Sequence, residues 1–392
     1  MRSYRAIYLK RVFLLLLLGA GFSLKSQINP SFISLSVGRG EVLRHSSDDQ
    51  TTIPDLGRIS LYSIYADVGI DAASTFSWAS AFDNPKVGLT LLGSSYSSSS
   101  IDYVGGVLVF LSNKYDLFRS PLFFYYHVGW GITYTNNIYD LESNRTNESV
   151  STYLNATTDA RIGLGLRLSE SWRFQAGGSL LHSSNMGLKK PNYGINQYNL
   201  MAGLSYEFGS ESSVIEAKEQ KFPRQEVLVI GHIATRQVAY NDAYLLVGNL
   251  NVEYNRVLNR VLRAGVGMAL MEDGIAYEHK KYLKPLEGQD YKPLGPAETL
   301  SFGTHLNLEL CFNRLSLVGQ LGYYWLHPYR DIRASSALPE AYADYMKYHN
   351  EHYIYNRIGY RYRFNSGLVI SLIGKTQLFK IQFTEFGIGY SF

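Results

Sequence analysis

The chain has almost no cysteine. Cys311 is the only one, so no intrachain disulfide can form. That excludes a small extracytoplasmic domain held together by bridges. No Cys and His residues cluster at metal-ligand spacing, so no metal and no cofactor are expected. Long basic runs are missing too. The 37 Lys and Arg against 33 Asp and Glu leave a net charge of +4, dispersed along the chain, which argues against nucleic acid as a partner. Beyond residue 26 there is no apolar stretch of about 20 residues, the length a membrane helix needs.

The start of the chain is different. Met1 to Arg11 carries Arg2, Arg5, Lys10 and Arg11 and no acid, and the apolar run Val12 to Phe22 follows. That run is too short to span a bilayer. Followed by polar Lys25-Ser26-Gln27, it reads as a signal peptide over residues 1–26, with a membrane anchor as the alternative. No Cys lies at the expected cleavage site, which argues against a lipoprotein.

What the chain has in quantity is aromatic residues and glycine: aromatics are 14 % of it, with 32 Tyr and 35 Gly. Tyr-rich, Gly-rich segments of alternating polarity suit a transmembrane β-barrel, whose strands show one face to lipid and the other to the lumen. Period-2 alternation predicts about sixteen strands. Eight lie near 31–38, 57–70, 86–96, 102–113, 121–135, 154–168, 171–184 and 195–208. Eight more lie near 226–240, 243–256, 259–271, 299–311, 314–327, 351–364, 366–376 and 380–392. The polar stretch Gly209 to Arg224 contains Pro223 and reads as a linker, 209–225, between halves 27–208 and 226–392.

The halves echo each other. One ends Gly203-Leu204-Ser205-Tyr206-Glu207-Phe208, the other Gly387-Ile388-Gly389-Tyr390-Ser391-Phe392. The expected fold is an all-β antiparallel transmembrane β-barrel, built either as one barrel of about sixteen strands or as two barrel-like halves of eight. Eight strands give a filled interior and sixteen an aqueous lumen. A last strand ending in Tyr-x-Phe resembles the signal read by outer-membrane assembly machinery, which is therefore an expected partner.

One hairpin carries a chemical pattern. On the strand near 171–184 the even positions include Trp172, Phe174, Leu180, His182 and Ser184. On the next strand they include Asn196, Tyr198, Leu200, Leu204 and Phe208. The even face is the more apolar and should meet lipid. A symmetric loop would set His182 opposite Asn196, placing three polar groups on the outer wall near the hairpin tip. A serine hydroxyl needs a base to take its proton, and His182 is two residues away on the same face. An ester's tetrahedral oxyanion needs donors. Asn185 and the N–H groups of the Gly187 loop are candidates, with Asn192 as support, and Asn196 could orient the imidazole. Lys189 and Lys190 could approach phosphates as point charges. Counting forward from His182 and Ser184 by the echo spacing of 184 residues finds no second copy of the dyad: Ser366 and Leu368 stand at those positions.

This stretch resembles the PagL-type lipid A 3-O-deacylase family of outer-membrane barrels, also described as acyloxyacyl hydrolases. The matching pattern is His182-x-Ser184-Asn185, then Lys189-x-Pro191-Asn192-x-Gly194-Ile195. The likeness extends back through Gly129-Trp130-Gly131-Ile132-Thr133-Tyr134 and covers roughly residues 30–208. It implies Ser184 as nucleophile, His182 as base and, as substrate, an ester-linked acyl chain of lipid A in the outer leaflet of the cell outer membrane. One position departs from the family: its best-known members place Glu after the Gly-Ile, and here Asn196 stands there. An amide in place of the acid costs a serine-protease triad about 10⁴ in turnover, yet Cys-His-Asn proteases work with an amide. The alternative expectation is an inactive barrel acting as a pore, scaffold or binding protein.

Overall fold

The computed structural model describes residues 30–43, 59–209, 224–237, 243–274, 299–327, 353–377 and 380–392. The expected signal peptide and most of the expected linker lie outside them.

All sixteen predicted strands are present. In the first half they are β1 (Phe32–Val42), β2 (Ser60–Asp71), β3 (Lys86–Tyr96), β4 (Tyr103–Asp116), β5 (Leu122–Thr135), β6 (Leu154–Arg167), β7 (Trp172–Ser184) and β8 (Ile195–Glu207). In the second they are β9 (Gln225–Arg236), β10 (Leu245–Val257), β11 (Leu262–Asp273), β12 (Leu300–Phe312), β13 (Leu315–Leu326), β14 (Ile354–Arg363), β15 (Leu368–Gln377) and β16 (Lys380–Ser391). Two short 3-10 turns, Ala72–Ser74 and Ala79–Phe82, lie between β2 and β3.

The strands close into two eight-stranded antiparallel barrels, β1 to β8 and β9 to β16. Of the two expected architectures the chain takes the doubled one. β8 pairs back onto β1, setting Phe32 beside Glu207, and β16 pairs back onto β9, setting Glu385 beside Ala234. The repeated Gly-aliphatic-x-Tyr-x-Phe segments therefore belong to equivalent closing strands. In each the Tyr and Phe rings meet edge to face, Tyr206 with Phe208 at 5.1 Å and Tyr390 with Phe392 at 4.9 Å.

Alternation explains why these segments become barrel walls. In β9, Val227, Val229 and Ile233 are exposed while Leu228, Ile230, His232 and Arg236 are buried. β-branched residues suit the pleated, half-buried surface. The outward faces form an apolar jacket that water would not favour and lipid would.

The inward faces are polar and pack each interior. In the first barrel Asp67 accepts hydrogen bonds from Ser34 and Thr90 at 2.6 Å and from Arg161 at 3.1 Å, and Arg161 also binds Asp159 at 2.5 Å. In the second, Arg361 joins Glu253 at 2.9 Å and also pairs with Glu309, while Arg363 joins Glu226 at 2.7 Å. Buried charges persist only where they are paired in this way.

The barrels touch at both rims. Where β1 begins, which we call the inner rim, Trp78 and Phe82 pack on Phe312 with centroids 5.1 Å apart, and Ser77 Oγ donates to Asn313 Oδ1 at 2.9 Å. At the opposite, outer rim the β7–β8 turn meets the second barrel.

Candidate active site

β7 and β8 form a hairpin whose register pairs His182 with Asn196 and Leu180 with Tyr198. Leu180 and Leu200 are strongly exposed on the same outward face, whereas Ser183 and Asn199 are buried toward the lumen. His182 accordingly stands on the outer wall, two residues from the end of β7.

His182 Nε2 lies 3.1 Å from Ser184 Oγ, and His182 Nδ1 lies 2.6 Å from Asn196 Oδ1. For Nε2 to accept the serine proton, Nδ1 must carry the ring hydrogen, and an amide oxygen is the group that receives it. A hydroxyl, an imidazole and an oxygen acceptor thus stand in line, the arrangement of a nucleophile with an oriented base. His182 is exposed, while Ser184 is only 5 % exposed despite its outward position.

Two glycines shape the turn. Gly194 has φ +79°, and a Cβ there would sit 2.6 Å from His182 Cε1, so the ring occupies space that a side chain would fill. Gly187 also has φ +79°, a conformation that costs glycine little.

The three expected oxyanion and support residues separate. Asn185 Nδ2 donates to Ser151 Oγ at 3.1 Å and to Lys189 O at 2.8 Å, and its Oδ1 accepts from Gly187 N–H at 3.1 Å. The Asn185 side chain and the Gly187 N–H are thereby committed to the turn itself, so the structure gives them a supporting place and no free donor. Asn192 differs. Its Oδ1 accepts from the N–H of Asn185, the residue after Ser184, at 3.0 Å. That bond fixes the amide orientation and leaves Nδ2 buried without a hydrogen-bond partner. Lys189 and Lys190 enter through main-chain groups: Lys189 O accepts from Asn185 and Ser151, and Lys190 N–H donates to Gln237 Oε1 at 3.0 Å.

Some neighbours were invisible in the hairpin's own sequence. The β5–β6 loop props the turn through Tyr193 N–H to Glu148 O at 3.2 Å and Gly194 N–H to Ser149 O at 2.7 Å. Burial raises the pKa of Glu148, and burial together with Glu148 raises that of Tyr193. The echo-spacing counterparts of His182 and Ser184 do not take the equivalent place in the second barrel. Ser366 and Leu368 fall at the inner rim, because β15 and β16 are joined by two residues where β7 and β8 are joined by ten. Among the described residues no group of three or more His, Cys, Asp or Glu could hold a metal ion.

Residues 64–205 match the family model described as lipid A 3-O-deacylase (PagL), from β2 to β8, and residues 224–336 match the one described as acyloxyacyl hydrolase, C-terminal domain. The chain joins a lipid A 3-O-deacylase domain to an acyloxyacyl hydrolase C-terminal domain. The His182–Ser184 pair lies in the deacylase domain, and the C-terminal domain begins with β9. No curated protein matches the chain. Among solved structures, Neisserial surface protein A is 12 % identical, with a TM-score of 0.29, over 45 % of this deacylase-family chain and 97 % of its own. CdiB from Acinetobacter baumannii is 11 % identical, TM-score 0.18, over 92 % and 60 %. OccAB4 from Acinetobacter baumannii is 10 % identical, TM-score 0.23, over 94 % and 100 %.

Proposed function

We propose that this protein is an integral outer-membrane serine esterase that removes an ester-linked acyl chain from lipid A, exported by means of residues 1–26. The observation that carries this reading is the line of hydrogen-bonding groups from Ser184 through His182 to Asn196 on the outward wall of a barrel. An exposed imidazole on an apolar wall is costly unless it meets a substrate there, and lipid A would present its esters at that depth. The deacylase-family match supports the same substrate.

In this reading Ser184 Oγ attacks the ester carbonyl while His182 Nε2 takes its proton. Asn196 Oδ1 holds the Nδ1–H and faces the imidazolium that forms. The carbonyl oxygen becomes an oxyanion, and Asn192 Nδ2, an N–H donor with no other partner, is the side chain suited to receive it. Collapse expels the alcohol oxygen of the ester, which takes the proton from His182, and leaves an acyl-serine. Water, deprotonated by His182, then attacks that acyl group and releases the fatty acid with Ser184 restored.

The test is lipid A mass spectrometry from cells producing the protein or its Ser184→Ala variant. The expected result is loss of one acyl chain with the wild type only. Identical acylation in the two strains overturns the reading.

A further inference from the structure

The β7–β8 turn is gripped from outside its own barrel. Thr384 Oγ1 in β16 donates to Met186 O at 2.7 Å. Gln237, buried just beyond β9, accepts the Lys190 N–H through Oε1 at 3.0 Å. Between these points Gly187 lies against β16: a Cβ there would stand 3.0 Å from Gln382 O and 3.2 Å from Phe383 Cα. Met186 holds a left-handed φ of 56°, which for a long side chain persists only where the surroundings impose it. The bond from Thr384 to its carbonyl is one such constraint.

These contacts share an origin. β9 and β16 are the strands whose pairing closes the second barrel, and their outer ends form a single edge facing the turn. The pinned positions lie between Asn185 and Asn192. Met186 follows Asn185, and Lys190 precedes by two residues Asn192, the holder of the unpartnered Nδ2.

We propose that the second barrel is a positioning element for the serine site, its β9–β16 edge holding the 185–192 turn so that the Asn192 amide faces the reacting carbonyl. This rests on the reading of Ser184 as nucleophile. A donor used only as the oxyanion forms affects turnover more than substrate binding. Loosening the turn should therefore lower kcat and leave KM in place.

The experiment uses the full chain, with purified lipid A in detergent as substrate. Thr384→Val removes the donor at nearly constant volume, Gln237→Leu removes the acceptor, and Thr384→Ser restores a hydroxyl. Ser77→Ala, which breaks an inter-barrel hydrogen bond at the inner rim, is the control. Each lost hydrogen bond should lower kcat about 3- to 10-fold and the double variant about 10- to 100-fold, with KM unchanged. Thr384→Ser should recover wild-type turnover, and Ser77→Ala should match wild type. Wild-type kcat in the double variant, or an equal loss in Ser77→Ala, overturns the proposal. Amide exchange at Lys190 supplies a readout independent of turnover. It should quicken in the double variant, and unchanged exchange overturns the grip itself. A wild type without Ser184-dependent hydrolysis sinks the esterase reading and the catalytic part of this one, and exchange then decides only whether the second barrel holds the turn.

Discussion

Asn196 Oδ1 lies 2.6 Å from His182 Nδ1, across one register pair of the β7–β8 hairpin. An amide oxygen there can orient the imidazole but offers the imidazolium no full negative charge. Asn196→Asp keeps the geometry and supplies that charge. It is expected to raise kcat at least about 10-fold, set against the roughly 10⁴ that the reverse change costs a protease triad. Asn196→Leu should lower kcat about 10²-fold or more. Steady-state kinetics on lipid A check both. An Asp variant no faster than wild type would mean that the amide already does all the position requires.

Gly194 and His182 compete for one volume. An added methyl at 194 would fall 2.6 Å from Cε1 and 3.2 Å from Nδ1, on a backbone of φ +79°. Gly194→Ala should rotate the imidazole off Ser184, and displacements of about 1 Å at a reacting group cost on the order of 10² in rate. Turnover should fall by that factor while the barrel still migrates as a folded band in unheated gels. Full activity would show that the ring has room to spare.

Glu148 makes the turn pH-sensitive. Burial raises its pKa, so the closed loop binds its proton more tightly than an opened loop does. Stability is therefore greatest with the carboxyl protonated, and falls as pH rises from the ordinary carboxylate range through the raised value. Protection of the Tyr193 and Gly194 amides, which donate to Glu148 O and Ser149 O, should decline across that window after correction for intrinsic exchange. In Glu148→Gln it should stay level. A decline of the same size in the Gln variant would assign the effect to another group.

Leu200 is 73 % exposed on the outer wall near the middle of β8, and its neighbour Asn199 is 1 % exposed inside. If that wall meets lipid, Leu200→Arg should destabilise the protein by about 2–4 kcal/mol in denaturant unfolding from liposomes. A change near zero would place the position outside the hydrocarbon region.

Much of this molecule is written in local pattern. Period-2 alternation located all sixteen strands and separated Leu180, His182 and Leu200 from Ser183 and Asn199, because side chains alternate strictly across a pleated strand. The same parity, with the loop length, put His182 opposite Asn196. The 3-10 turns at Ala72–Ser74 and Ala79–Phe82 escaped this reading because they have no such period.

The number of barrels escaped as well, since alternation says which face a residue takes and nothing about which strand closes the sheet. Whether β1 pairs with β8 or with β16 is a contact between segments more than 150 residues apart. The turn shows the same division. Residue types nominated Asn185 as a free donor, but only the folded chain, by bringing Ser151 and Lys189 to its amide hydrogens, commits it to structure and leaves Asn192 Nδ2 open. Thr384 and Gln237 reach the turn from a barrel that follows it in sequence, so their part was settled by tertiary packing alone.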